Sequence, residues 1–282
     1  MDLYAKPTPR FGEKLSEAIA TLRQAAALGA MVQANSLGAE DMVMTHLINQ
    51  HRLPISIFVL DTGALHVETL ALLEQLKSQQ AAHPNAPLTV YQPQQEAVVQ
   101  FVAREGADAM RRSVDLRKAC CALRKLEPLG RALAGQQGWI TGLRREQSDA
   151  RADVPLIDRS EIQRNGLTKF NPLAGWTWGD VWHYIAANNV LYNPLHDRFY
   201  PSIGCAPCTR AITQGEDFRA GRWWWESESA KECGLHVKAH SQDAPTSGRS
   251  PNEAAKEYGA HIRQPHSSRI AATSHKVTRP AT

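Results

Sequence analysis

Ile55-Ser56-Ile57-Phe58-Val59-Leu60, followed at once by Asp61-Thr62-Gly63, is the stretch that decides the fold. A short, almost wholly apolar run bounded by turn residues reads as a strand buried on both faces, as in a parallel sheet. The polar turn then stands at the carboxyl edge of that sheet, where open α/β sheets bind ligands. Working outward, helical periodicity is expected over about 66–77. A strand follows at Leu88-Thr89-Val90-Tyr91 and a helix near 94–104. Upstream, Leu15, Ala18, Ile19, Leu22, Ala25 and Ala26 recur at helical spacing over about 13–28, and Ala30-Met31-Val32 suits a strand. Gly138-Trp139-Ile140-Thr141-Gly142-Leu143 supplies a further strand, ending in the polar cluster Arg144-Arg145-Glu146-Gln147-Ser148. Strands alternating with helices imply an α/β fold with a doubly wound, mainly parallel sheet.

Between the first strand and an apolar-periodic segment from Met42 to Ile48 lies Ser36-Leu37-Gly38-Ala39-Glu40-Asp41. A strand, a Ser/Gly loop and a helix can aim backbone N–H groups and a positive helix end at a phosphate. The same pattern also serves as a plain βα connection with acids near the helix start, and the loop alone does not separate the two readings. Later, Thr177-Trp178-Gly179-Asp180 reads as a helix start with a Thr N-cap and an acid three residues on. Trp178, Val181, Trp182 and Ile185 then line one face, a stripe expected to pack in the core. The chain turns irregular through Asn193-Pro194 and Tyr200-Pro201.

Composition bounds the function classes. At 282 residues, with 43% hydrophobic and 21% charged content, the chain is ordinary for a globular protein. No run approaches the ~18 apolar residues of a membrane span, and MDLYAKPTPR has no secretory pattern. Five cysteines, an odd number without a signal, argue for a reducing cytoplasm over a disulfide framework. The net charge of +4 is local: residues 1–236 hold 25 Lys and Arg against 25 Asp and Glu, and residues 237–282 hold 7 against 3. A neutral body is poor support for nucleic-acid binding. Residues 237–282 contain no Leu, Phe, Trp, Met or Cys, so they are expected to form a disordered tail behind a domain spanning 1–236.

The cysteines carry the chemistry. Cys205 and Cys208, in Gly204-Cys205-Ala206-Pro207-Cys208, form a chelating pair that alone fits zinc, a redox dithiol or a cluster. Cys120 and Cys121 are adjacent, a spacing that strains a tetrahedral zinc site but suits the separate iron corners of a cubane. Around them, Arg111, Arg112, Arg117, Lys118, Arg124 and Lys125 face the single acid Asp115. Such a segment offsets an anionic cluster, or is an ordinary solvated helix face. Cys233, in Glu232-Cys233-Gly234-Leu235-His236, has polar and glycine flanks that favour an exposed, reactive thiol. His236 stands three residues on, able to stabilise a thiolate, and Arg219 and Arg222 upstream are able to clamp a phosphate or sulfate.

KACCALRK at 118–125, GCAPC at 204–208 and ECGLH at 232–236 resemble the assimilatory adenylyl-sulfate (APS) reductases. So do SLGAED at 36–41, LDTGALH at 60–66, TGLRREQSDAR at 141–151 and KFNPLAGWTWGDVW at 169–182. The blocks cover roughly residues 13–236 in order; relatives include the phosphoadenylyl-sulfate (PAPS) reductases. The resemblance implies an adenine-nucleotide-hydrolase-like, Rossmann-like fold with an irregular C-terminal active-site segment. It implies that Cys120, Cys121, Cys205 and Cys208 bind one 4Fe–4S cluster per subunit. Cys233 would attack the sulfur of APS, aided by His236, and a thioredoxin or glutaredoxin-type dithiol would release sulfite. Ser36, Gly38, Leu60, Thr62 and Gly142 would hold the adenosine, and Lys125, Arg144, Arg151, Arg219 and Arg222 the phosphate and sulfate. A homo-oligomer is expected. PAPS is the alternative substrate, since the PAPS branch generally keeps only the ECGLH-type thiol; the five cysteines favour APS. An adenylating or thiolating enzyme on the same fold would want a more glycine-rich loop and leaves ECGLH unexplained. The 46-residue tail is longer than the family usually carries.

Overall fold

Alternation of apolar side chains across two covered faces organises the molecule. A computed structural model of the chain describes residues 6–160, 162 and 166–227. Cys233, His236 and the segment 237–282 lie outside the described residues. In chain order the main elements are α1 (Phe11–Ala27), β1 (Met31–Ala34), α2 (Ala39–Gln50), β2 (Ser56–Leu60), α3 (Val67–Gln80), β3 (Leu88–Tyr91) and α4 (Gln95–Glu105). There follow α5 (Ala109–Arg112), α6 (Val114–Cys121), a π-helical turn (Ala122–Leu126), α7 (Glu127–Leu133), β4 (Gly138–Ile140), β5 (Ile157–Asp158), β6 (Thr168–Phe170) and α8 (Trp178–Asn188).

The sheet order is β3-β2-β1-β4-β6-β5, parallel except for the short edge pair β5–β6. From β1 the chain winds outward to β2 and β3, then returns to place β4 on the other side. The switch point therefore lies between β1 and β4, and a ligand crevice is expected beyond their carboxyl ends. Period-two alternation sends Met31, Ile57, Val59, Ile140 and Phe170 into one core with Leu22, Met42, Leu47, Leu72, Leu76 and Val181. Val32, Phe58 and Trp139 point the other way and pack with Ala132 and Leu167. The sheet is thus doubly wound, as its sequence pattern implies.

The structure adjusts several boundaries. The α2 helix begins at Ala39 rather than Met42, so Glu40 and Asp41 fall in its first turn, next to the positive helix end. The strand expected over 138–143 stops at Ile140. The Thr141 amide still donates to the Phe170 carbonyl and its hydroxyl to Asn171 Oδ1, but Gly142 onward leaves the ladder to line the crevice.

The capping box at α8 is present: Asp180 N donates to Thr177 Oγ1 at 3.1 Å, and Thr177 N to Asp180 Oδ2 at 2.9 Å. Asp180 also accepts from Thr8 N at 2.7 Å, Thr8 Oγ1 at 3.0 Å and Lys14 Nζ at 2.8 Å, so one buried carboxylate ties the N-terminal segment and α1 to α8. Burial opposes its ionisation, but these donors, led by Lys14, prevail and hold its carboxyl at about 2. A carboxyl lowered in the folded state contributes stability above its ordinary value and loses it as pH falls through about 2. Asp180→Asn is expected to cost about 2 kcal/mol at neutral pH. In urea unfolding series, the gap between the two proteins should close between pH 4 and 2. A pH-independent gap would show that packing, not charge, is what the carboxylate contributes.

Candidate active site

A cavity of about 220 Å³ opens beyond the carboxyl ends of β1, β2 and β4. The Ser36 loop forms one wall, Leu60 and Thr62 a second, and Thr141, Gly142, Gln147 and Arg151 a third. Pro201 to Cys205 and Phe218, Arg219, Arg222 and Trp223 close the far side, with Lys125 between. The expected substrate residues Ser36, Gly38, Leu60, Thr62, Lys125, Gly142, Arg151, Arg219 and Arg222 therefore meet around one space. Arg144 does not line it.

The Ser36 loop is tightly folded by its own polar groups. Asn35 Oδ1 accepts from Leu37 N at 2.7 Å, with Leu37 in the left-handed region, while Asp41 Oδ2 accepts from Ser36 N at 2.8 Å and Ser36 Oγ at 2.5 Å. Burial pushes the Asp41 carboxyl up to about 6, against the Ser36 and Gly142 hydrogen bonds that lower it. Burial also opposes ionisation of Glu40, yet the Arg144 charge and its hydrogen bonds with Arg144 and Gln147 hold its carboxyl below the usual range. Two acids beside a helix N-terminus oppose a phosphate there. The loop suits hydroxyl and amine donors better, and the cationic rim of Lys125, Arg151, Arg219 and Arg222 suits the anion. Gly142 is required by close approach: a Cβ there would lie 2.4 Å from Asp41 Oδ1 and 2.9 Å from Glu40 Cβ.

Arg222 is pinned by hydrogen bonds from Nη1 to the Ile203 carbonyl at 3.2 Å and Ser202 Oγ at 3.4 Å, with its guanidinium 4.7 Å from the Trp223 ring centroid. A Cβ at Gly204 would meet Arg222 Nη2 at 2.3 Å, so the glycine before Cys205 is what lets this guanidinium lie against the backbone.

A second cavity of about 100 Å³ abuts the first. Cys120, Cys121, Cys205 and Cys208 all line it, together with Arg117, Arg124 and Lys125. Lys125, Cys205 and Trp223 border both spaces, and Thr62 Oγ1 lies 3.2 Å from Cys205 Sγ. The vicinal cysteines end α6, directly before the π-helical turn that carries Arg124 and Lys125. That turn moves these side chains out of α-helical register, a common device at functional sites. Arg124 Nη1 donates to the Thr62 carbonyl at 2.7 Å. Arg117 is buried, bonded to Glu226 Oε1 at 2.6 Å and stacked 4.5 Å from Trp223.

The donor set is one that a metal centre with four thiolate ligands would use. Among the described residues, no three His, Cys, Asp or Glu side chains are grouped as a single-ion site needs. Four thiols nevertheless surround one cavity whose cations suit a net anion. Burial, then the Cys205 thiol, pushes Cys208 up to about 11, and burial raises Cys120. The buried Trp223 Nε1 has no hydrogen-bond partner among the described residues, a donor suited to a sulfur acceptor.

Sequence reasoning missed Gln147, Asp41, Glu40, Phe218 and Trp223 as wall residues, and Gly204 as a packing requirement. The only sequence signal for most of them was adjacency to residues already singled out.

Comparison with known proteins follows the same geography. The profile of the phosphoadenosine phosphosulfate reductase domain matches residues 30–211. A protein of Allochromatium vinosum named adenosine 5'-phosphosulfate reductase is 53% identical over 219 residues, covering 78% of this chain and 83% of its own. One of Burkholderia cepacia with the same name is 49% identical over 231 residues, covering 82% and 90%. The crystal structure of phosphoadenylyl-sulfate (PAPS) reductase from Candida auris, a phosphate complex, superposes with a TM-score of 0.56 at 28% identity. It covers 67% of this chain and 88% of that one.

Proposed function

The chain belongs to the phosphoadenosine phosphosulfate reductase family, and from that premise we propose that it reduces adenylyl sulfate to sulfite and AMP in assimilatory sulfate reduction. The observation that carries the reading is the shared wall. A crevice of about 220 Å³ with a cationic rim adjoins a four-cysteine cavity through Lys125 and Cys205. Relatives at about half identity that are named for the same reaction support it.

In this reading Ser36, Gly38, Leu60, Thr62 and Gly142 hold the adenosine, while Lys125, Arg151, Arg219 and Arg222 neutralise the phosphate and sulfate oxygens. The Cys233 thiolate attacks the sulfate sulfur. An S–S bond forms, the bond from sulfur to the bridging oxygen breaks, and AMP leaves with that electron pair. A thioredoxin or glutaredoxin-type dithiol then attacks Cys233 Sγ and expels sulfite; its second thiol closes a disulfide and restores Cys233. The dithiol thus loses the two electrons that the sulfur gains. His236 stabilises the Cys233 thiolate. Charge neutralisation and in-line placement are the main catalytic needs, because AMP leaves readily.

Cys120, Cys121, Cys205 and Cys208 would hold one 4Fe–4S cluster per subunit. Bound there, it would supply a compact fixed charge against which Arg117, Arg124 and Lys125 are set, with electrons entering by thiol exchange. The catalytic domain spans 1–236, in a homo-oligomer kept in a reducing cytoplasm. Among the described residues, no helix is long and apolar enough to cross a membrane.

Parallel assays of anaerobically prepared protein with thioredoxin, one on adenylyl sulfate and one on its 3'-phosphorylated relative, test the substrate. Sulfite release at a kcat/KM at least about a hundredfold higher for adenylyl sulfate is expected, corresponding to about 3 kcal/mol of discrimination. An inverted preference would assign the chain to PAPS, and equal values would overturn the stated preference for adenylyl sulfate.

A further inference from the structure

Arg144 stands apart from the other expected anion ligands. Its side chain is wholly buried behind the cavity, bonded from Nε to Glu40 Oε1 at 2.9 Å and from Nη1 to Glu146 Oε2 at 2.8 Å and the Trp176 carbonyl at 3.4 Å. Its guanidinium carbon lies 5.4 Å from the Trp178 ring centroid and 5.6 Å from that of Phe218. The two rings meet edge to face at 5.0 Å. Glu146 Oε2 also accepts from Trp178 N at 2.6 Å, so charge, ring and helix start close one circuit.

We propose that Arg144 is a positioning residue: it meets no substrate and instead fixes two walls that receive the anionic end of the nucleotide. The first wall runs through Gln147. Gln147 Nε2 donates to the Glu40 oxygen that Arg144 holds, at 3.0 Å, and Gln147 Oε1 accepts from Arg144 N at 3.1 Å and from Arg151 Nη1 at 2.7 Å. Gln147 is thus one group that holds Arg151, and its own partners are Glu40, which Arg144 grips, and the Arg144 backbone. The second wall runs through Phe218, next in the chain to Arg219. The turn carrying them is joined to its own base by Arg210 with Glu216 and by Arg210 N with the Gly221 carbonyl. Phe218, seated on Arg144 and Trp178, attaches that turn to the α8 end of the sheet.

Arginine suits this geometry, with Nε and Nη1 partnered and the buried Nη2 left without a hydrogen-bond partner among the described residues. A planar guanidinium donates in its plane to Glu40 and Glu146 while offering faces to aromatic rings, whereas an ammonium is a point charge that cannot do both. Arg144→Lys therefore keeps the buried charge that Glu40 needs and removes the geometry.

The inference rests on the nucleotide reading of the cavity but is tested separately from turnover. In the full chain, Arg144→Lys is expected to weaken AMP binding, measured by calorimetry, about tenfold. KM for adenylyl sulfate should rise by a similar factor, with kcat within about threefold of the parent. Phe218→Leu should weaken AMP binding in the same direction. The double variant should lose much less than the product of the two, because both act through one element. Unchanged AMP affinity in folded Arg144→Lys overturns the proposal. So does a fully multiplicative double variant, or a kcat collapse at unchanged KM, which would place Arg144 on the reacting group. If Arg144→Lys does not fold, Phe218→Leu decides alone, and unchanged AMP affinity there overturns the proposal equally. A parent chain that binds AMP but releases no sulfite would refute the activity and leave this test standing.

Discussion

Cys233→Ser is expected to bind adenylyl sulfate and to release sulfite at least about a thousandfold more slowly than the parent with thioredoxin present. The reason is chemical. A serine hydroxyl stays protonated at neutral pH and is a far weaker nucleophile toward the sulfate sulfur. Even if it attacked, it would leave a serine O-sulfate, which has no S–S bond and so no divalent sulfur from which a dithiol could expel sulfite. Binding should survive because the residues proposed to hold the nucleotide come from the crevice walls. The decisive measurement pairs a binding titration with mass spectrometry of the protein after exposure to substrate alone. The parent should gain one sulfonate on the peptide bearing Cys233, and the variant none. Sulfite release by the variant at the parental rate would place the nucleophile elsewhere.

Cys208→Ser should lose the metal outright. A serine oxygen is a hard, weakly acidic ligand in place of a soft thiolate, and a cluster held by four corners has no spare one. Iron and acid-labile sulfide should fall from about four per chain toward zero, with loss of the brown colour. Cys208 lines only the thiol cavity, whereas Cys205 also borders the crevice. AMP should therefore still bind Cys208→Ser with an affinity within a few-fold of the parent, and Cys205→Ser should be more damaging to binding. Parent protein prepared without oxygen that is colourless and holds zinc would end the cluster assignment. The two variants are complementary: Cys233→Ser should keep iron and lose chemistry, and Cys208→Ser should lose iron first.

Much of this was legible along the chain because short apolar runs bounded by turn residues announce strands. Ser56–Leu60 and Leu88–Tyr91 fall where their apolar runs place them, and the Thr177–Asp180 capping box is a local signal satisfied locally. The two cysteine pairs were legible too, and the fold brings all four thiols to the wall of one cavity. Boundaries set by tertiary contacts were not. Ile140 ends its strand where the crevice needs Gly142 against Asp41, and α2 starts early enough to bring Glu40 to Arg144. The π-helical turn at Ala122–Leu126 has no composition signature.

The α/β class, the family and the pairing of the cysteines were carried by residue type and spacing alone, and so was the list of candidate cations. The tertiary structure alone decided how those cations divide. Lys125, Arg151, Arg219 and Arg222 reach the crevice, while Arg144, expected beside them, is buried behind it against Glu40, Trp178 and Phe218. A string of arginines does not reveal which one a folded carboxylate and two rings will claim, since those partners come from α2, α8 and the turn at Phe218. Burial of a charge is favourable only where such partners converge, and convergence is a property of the fold.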